Sequence, residues 1–252
     1  MEAYTDFAGV YDIFMDETPY REWCAYVRSV FERYRVPKEL VLDLGCGTGT
    51  MTELLAGAGY DMIGIDSSQE MLNLAITKRD RSGHEILYLC QDMREFELYG
   101  TVRAVISLCD SVNYILEPEE LADVFSLVNN YLDPGGIFLF DFNTDYKYRE
   151  IIGDSVIAEN RETCSFIWEN YFHEDECINE YDVTVFVEEE DRRYRKFTET
   201  HYQRGYTLAE MKELLAEAGM EFLEAADADT KGAVTEKSER IYVTARERGK
   251  EK

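Results

Sequence analysis

The chain changes its hydrophobic rhythm twice. From Tyr4 to Tyr34 apolar residues recur at helical spacing, with Phe7, Val10, Tyr11 and Phe14 on one helix face. Glu17-Thr18-Pro19 breaks the stretch, so a second helix is predicted over Tyr20 to Tyr34. Such a segment forms no core alone and is expected to pack on the domain that follows. From Leu40 to Phe142 short apolar runs alternate with amphipathic stretches, as in a doubly wound parallel sheet. Five strands are predicted, at Leu40 to Leu44, Tyr60 to Ile65, Ile86 to Cys90, Ala104 to Cys109 and Ile137 to Phe142. The helices between them include Thr50 to Gly59 and one led by Glu117-Pro118, with Leu121, Val124, Phe125 and Val128 inward. Ser67-Ser68-Gln69-Glu70 reads as a capping box for a helix with Met71, Leu72 and Ala75 on its apolar face. From Asp145 to Tyr206 the period becomes two, and Cys164 to Phe172, Ile178 to Glu188 and Arg195 to Tyr206 read as strands of an inserted antiparallel sheet. Thr207-Leu208-Ala209-Glu210 caps the last helix, and Glu221 to Ala225 and Arg240 to Ala245 are the last two strands.

The first strand runs straight into Asp43-Leu44-Gly45-Cys46-Gly47-Thr48-Gly49, and a helix begins at Thr50. Glycine tolerates positive φ and lets a ligand approach the backbone closely. Such a turn makes a ledge for a nucleotide-like ligand at the carboxyl end of a strand in an open α/β sheet. Asp66 ends the second strand, where a carboxylate can accept hydrogen bonds from both ribose hydroxyls. A dinucleotide fingerprint would place its third glycine where Thr50 stands; here it is Gly49, one residue early.

Asp43-Leu44-Gly45-Cys46-Gly47-Thr48-Gly49 followed by Asp66 resembles the first two motifs of the class I S-adenosylmethionine (SAM)-dependent methyltransferases. Gln91-Asp92-Met93 after the third strand, Asp110-Ser111-Val112-Asn113-Tyr114 after the fourth, and Leu132-Asp133-Pro134-Gly135-Gly136 before the fifth add further matches in order. The resemblance implies a Rossmann-like seven-stranded sheet with its last strand antiparallel, and SAM as cofactor. It divides the chain into an N-terminal helical cap (1–39), a SAM-binding domain (40–144 and 207–246) and an inserted antiparallel lid (145–206). In methyltransferases of amines and amino sugars a similar insertion forms a lid or a dimer surface. By this resemblance Gly45, Gly47 and Gly49 shape the ledge under the methionyl portion, Cys46 in the same turn also binds the cofactor, and Asp43 meets its ammonium or fixes the loop. Asp66 and Ser67 serve the ribose, Met71, Asp92 and Met93 the adenine. Tyr11 and Cys109 complete the cofactor site. Asp110, Asn113 and Tyr114 stand where the methyl group meets its acceptor, and Asp110 and Asn113 also suit a plain turn.

Composition narrows the reading. A net charge of −26 repels phosphate backbones and disfavours nucleic acid as a substrate. Arg192-Arg193-Tyr194-Arg195-Lys196 lies beside Glu188-Glu189-Glu190-Asp191 and reads as a solvated hairpin tip. Six cysteines form no C-x-x-C pair and three histidines offer no metal-ligand spacing, so no metal is expected and the compartment is read as a reducing cytoplasm. No apolar run approaches membrane-spanning length.

The expected reaction moves a methyl group from SAM to a small-molecule acceptor, with nitrogen favoured over oxygen. The cofactor supplies the electrophile, so the protein has to bind, orient and exclude water. Any base comes from the fourth-strand loop or the insertion, where Asp110, Tyr114, Glu169, His201 and Tyr206 are candidates. Trp168, Tyr171 and Arg204 are further candidates for lining the pocket. Two alternatives stand beside this: a nicotinamide-dependent oxidoreductase on a similar sheet, and a non-catalytic SAM-binding sensor. A monomer or a homodimer fits equally.

Overall fold

A computed structural model describes residues 7–189 and 193–250. Helices α1 (Ala8–Phe14) and α2 (Tyr20–Arg33) precede β1 (Leu40–Leu44), α3 (Thr50–Gly57), β2 (Asp61–Asp66), α4 (Gln69–Ser82) and β3 (Ile86–Cys90). Then come β4 (Val102–Ser107), a 3-10 turn (Ser111–Tyr114), α5 (Pro118–Tyr131) and β5 (Leu132–Asn143). A π-helical turn (Lys147–Ile152) leads to β6 (Val156–Asn160), β7 (Cys164–His173), β8 (Ile178–Glu188) and β9 (Tyr194–Arg204). The chain closes with α6 (Leu208–Glu217), β10 (Glu221–Asp227) and β11 (Arg240–Arg246).

The main sheet has seven strands in the order β10-β11-β5-β4-β1-β2-β3, and β11 runs antiparallel to both its neighbours. Its apolar runs are split by the period-two pleat. Leu42, Val105, Phe138, Phe140 and Ile241 face α5 and α6, meeting Leu121, Phe125, Met211 and Leu215. Val41, Ala104, Ile106, Leu139 and Tyr242 face the other way, onto Val27, Phe31, Met51 and Leu55 of α2 and α3. Near-continuous hydrophobicity in the sequence is therefore two alternating faces, each covered by helices.

The insertion is a second, four-stranded antiparallel sheet, β6-β7-β8-β9. Strand β6 escaped the sequence reading because it is five residues long and mostly exposed. The π-helical turn also carried no periodic signal. Three other boundaries move. The cap of α4 is Ser68, whose hydroxyl accepts from the Met71 N–H at 3.2 Å, and Ser67 stands outside the helix. Strand β4 stops at Ser107 because Cys109 and Asp110 both turn to positive φ, +61° and +51°. The turn before the fifth strand is a bulge inside β5: Leu132 pairs with Val102, and the register then jumps to Ile137 with Ala104.

Helix α1 departs from expectation more fully. Its apolar face packs on the inserted sheet, with Val10 in a buried cluster formed by Cys164, Phe166, Tyr181, Val183 and Val185. The Phe14 and Phe166 rings meet edge to face at 4.8 Å. The predicted start of this helix at Tyr4, and Glu190 to Arg192 of the predicted hairpin tip, lie outside the described residues.

Candidate functional site

The turn after β1 is built as its glycines require. Gly45, Gly47 and Gly49 have φ of +78°, +54° and +74°, a region that costs other residues about 1–2 kcal/mol. The amides of Gly45 and Cys46 donate to the Ile65 carbonyl at 2.8 and 2.9 Å, which fixes the turn against the end of β2. Asp66 closes the arrangement. Its Oδ2 accepts from the Gly47 N–H at 2.8 Å and its Oδ1 from the Ser68 N–H at 2.9 Å. The Ser67 N–H also bonds this carboxylate, and the acceptor capacity left over faces the cavity.

A cavity opens over this turn at the carboxyl edge of the sheet. Tyr11, Asp43, Gly45, Cys46, Gly47, Asp66, Ser67, Met71, Asp92, Met93, Cys109 and Tyr114 all line it. These residues come from α1, the β1 turn, the end of β2, α4, and the loops after β3 and β4. Met71 is also 2% exposed, so it serves core and cavity wall together.

Two expected residues stand elsewhere. Asn113 is fully buried behind the wall. Its amide donates to the Asn143 and Arg204 carbonyls at 2.9 and 2.7 Å and accepts from the Asn143 N–H at 2.9 Å. Every polar atom of the side chain is used to join the β4 loop, β5 and β9, so none is left for a substrate. Asp110 is likewise engaged. It pairs with Arg240 and accepts from Gln203 at 2.7 Å, while its own N–H donates to Asp141 at 2.8 Å. Both residues tie the inserted sheet to the main one, which explains a polar cluster in a loop without giving it contact with the cavity.

The insertion sorts its candidates by face. Trp168 and His201 pack on Tyr181 on the inward face of the sheet. Tyr171 is exposed on the opposite face, and Glu169, adjacent to Trp168 on β7, shares that face by the period-two rule. Tyr206 is a buried tie, donating to the Ile115 carbonyl at 2.6 Å, and Arg204 lies over its ring.

The electrostatics suit a cation. Asp43 is buried, accepts from Thr52 at 2.6 Å and has its carboxyl pushed up to about 7, chiefly by burial, with nearby Asp66 adding to the effect. Burial also raises Asp66. Asp92 goes the other way, held below the usual range by the Arg94 guanidinium, which it meets at 2.6 Å. Tyr20 lines the cavity as well, and so do Arg94, Ser111 and Thr48, which were not assigned to the site. Ser111 had a sequence signal, since it sits inside the quoted loop motif. Tyr20 follows a proline at the start of α2, in the stretch Tyr20-Arg21-Glu22-Trp23 that resembles the cofactor-covering N-terminal pieces of small-molecule methyltransferases.

Comparison with known proteins adds four findings. Residues 41–136 match the family model described as "Methyltransferase domain". A Geobacillus protein (strain WCH70) named "Putative methyltransferase GWCH70_2453" is 35% identical over 97% of this chain and 99% of its own length. A Streptomyces venezuelae protein, "dTDP-3-amino-3,4,6-trideoxy-alpha-D-glucopyranose N,N-dimethyltransferase", is 32% identical over 54% of this chain and 56% of its own. Among solved structures, a SAM-dependent methyltransferase from Clostridium acetobutylicum ATCC 824 superposes with a TM-score of 0.89 at 27% identity, covering 98% of this chain and 100% of that one.

Proposed function

The chain belongs to the SAM-dependent methyltransferases, and from that premise we propose that it methylates the nitrogen of a small-molecule amine. Membership sets aside the nicotinamide oxidoreductase. It also makes the chain an enzyme, not a sensor. The observation that carries the reading is the meeting of the glycine turn, Asp66, Asp92 and Tyr114 on one cavity. Nitrogen is favoured by the dTDP-amino-sugar N,N-dimethyltransferase among the relatives. It is also favoured by acidic walls, Asp43 and Asp66, that would receive a cationic cofactor beside an amine.

Within this reading the turn carries the methionyl portion, with Asp43 on its ammonium. Asp66 uses its remaining lone pairs on the ribose hydroxyls. Asp92 accepts from the adenine amine by giving up one of the contacts that Arg94 makes to both of its oxygens, with Met71 and Met93 against the ring. Cys46, Ser67 and Cys109 form wall, and Tyr11 covers the ligand. Tyr114 faces the acceptor, and residues 145–206 act as its lid. Aligning the two reactants for in-line displacement lowers the barrier by roughly 7–11 kcal/mol, which requires no protein nucleophile.

Calorimetry with SAM, S-adenosylhomocysteine and NAD tests the cofactor, and incubation with a panel of amines and amino sugars, followed by detection of S-adenosylhomocysteine, tests the acceptor. Binding of NAD with no SAM binding at millimolar concentration would overturn the reading. Turnover with phenols and alcohols but no amine would overturn the choice of nitrogen.

A further inference from the structure

The inserted sheet carries acid–base side chains on its buried face. Strand β9 sends Glu199 and His201 inward, 5% and 2% exposed, onto a face that holds Phe166, Tyr181, Val183 and Val185 together with the buried polar side chains Asn170, Asn179 and Gln203. A carboxylate and an imidazole buried there cost desolvation energy that two apolar side chains would not. Their geometry is directional. The Glu199 carboxylate lies 3.5 Å from Nε2 of His201 and also accepts from the Phe7 N–H at 2.9 Å. On the other side of the ring, Nδ1 lies 3.3 Å from the Tyr114 hydroxyl. The Tyr114 hydroxyl meets that of Tyr181 at 2.7 Å, and the Tyr181 ring stacks on His201 at 5.0 Å and 7°. Of these, Tyr114 lines the cavity. The series Tyr114, His201, Glu199 therefore runs from the cavity wall into the interior of the inserted sheet.

We propose that His201 and Glu199 are positioning residues that make Tyr114 the proton acceptor of the methyl-transfer site. This rests on the amine reading above. A neutral His201 with its proton on Nε2, toward Glu199, presents Nδ1 as the acceptor for the Tyr114 hydroxyl, and Tyr181 in turn donates to the Tyr114 oxygen. In the reaction the acceptor's lone pair forms the new N–C bond. The S–C bond breaks with its electron pair going to sulfur, leaving S-adenosylhomocysteine and a methylammonium. One ammonium proton passes to the Tyr114 oxygen as the Tyr114 proton passes to Nδ1. The resulting imidazolium faces the Glu199 carboxylate, and the proton leaves to water before the next turnover. The assignment gives the insertion a chemical part, since two of the three groups reside on it.

Sinefungin tests this without a known acceptor. It carries an amine-bearing carbon where SAM has its sulfonium, so its ammonium takes the place of the transferable methyl. Affinities for sinefungin and S-adenosylhomocysteine are measured by calorimetry in wild type, Tyr114→Phe and Glu199→Gln. The expected result is a sinefungin-to-S-adenosylhomocysteine affinity ratio reduced about tenfold in Tyr114→Phe and about threefold in Glu199→Gln. S-adenosylhomocysteine itself should change by less than about twofold, the spread of an unaffected cofactor site. A ratio equal to wild type in both variants overturns the proposal. If Glu199→Gln binds neither ligand, His201→Phe, which keeps the stack on Tyr181, takes its place with the same two outcomes. Failure of the cofactor reading looks different, because wild type would then bind neither compound.

Discussion

Replacing Asp43 with Asn should make the protein more stable and a poorer binder of SAM, and should flatten the pH dependence of binding. Asp43 is buried at the foot of the glycine turn, and its carboxyl titrates near 7 against an ordinary 3.8. The folded state therefore holds this proton more tightly than the unfolded chain. The contribution to stability is fully present below the unfolded value, and it is lost as pH rises toward 7. Asn removes the ionisation and keeps an oxygen for the Thr52 hydroxyl, so the ligand-free variant should melt higher at pH 8. A cationic ligand acts oppositely, because it favours the ionised carboxylate. If binding returns the carboxyl to its ordinary range, the protonation cost implies an affinity gain of about sixteenfold between pH 5.5 and 7. That window ends below the ligand's own α-amino titration, at about 7.7–8.0. Asp66, also raised by burial, adds to the same slope. Asp43→Asn should lose most of the slope and about 1.5–3 kcal/mol of affinity at pH 7, the scale of a hydrogen bond to a charged group. Calorimetric titration of SAM at four pH values measures both effects. A variant whose slope and affinity equal those of wild type would refute the placement of Asp43 against the cationic ligand.

Asp66→Ala should weaken SAM by about 1–3 kcal/mol through loss of the ribose contact; unchanged calorimetric affinity in a folded variant would remove the ribose assignment. Gly47→Ala and Gly49→Ala should separate ligand space from packing. A Cβ on Gly47 meets nothing within 4 Å, so that variant should lose about 1–2 kcal/mol of stability and at least about tenfold in SAM affinity. A Cβ on Gly49 would strike the Tyr88 hydroxyl and Ala75, so thermal melting should show the larger stability loss there. Tyr206→Phe should cost about 1–3 kcal/mol in a urea titration, because the Ile115 carbonyl is left buried and unpaired, with SAM affinity unchanged.

The parts of this protein that follow local rules were legible in its sequence. Glycines at positive φ, an acid at a strand end and a threonine cap with its glutamate announce themselves by residue type, and the Thr207 capping box forms as read. The succession of the main sheet's strands could be read because each apolar run is short and bounded by a helix or a polar loop. Polar residues whose partners lie far along the chain could not be read in this way. Asp110 and Asn113 look in sequence like loop residues at an active edge, yet their partners Gln203, Arg204 and Arg240 lie about ninety or more positions onward. The same distance hid the pairing of Tyr114 with His201, although both residues stood among the candidates singly. Period two identified the strands of the insertion without saying which face turns inward, because aromatic and charged residues alternate on both.

Helix α1 shows how the two sheets are joined over the site. Its apolar side is bound to the insertion through Val10 and Phe14. Its polar side reaches the glycine turn. Asp12 accepts from Thr48 at 2.7 Å and pairs with Lys78 at 2.8 Å, and Lys78 also donates to Thr48 and Thr50 at 2.8 Å. The two attachments differ in strength. Burying a valine contributes about 1.5–3 kcal/mol, whereas a partly exposed ion pair contributes about 0–1 kcal/mol and weakens with salt. Salt therefore weakens the hold of α1 on the glycine turn more than its hold on the inserted sheet. The helix that brings Tyr11 to the cofactor cavity is packed on the sheet that carries His201 and Glu199.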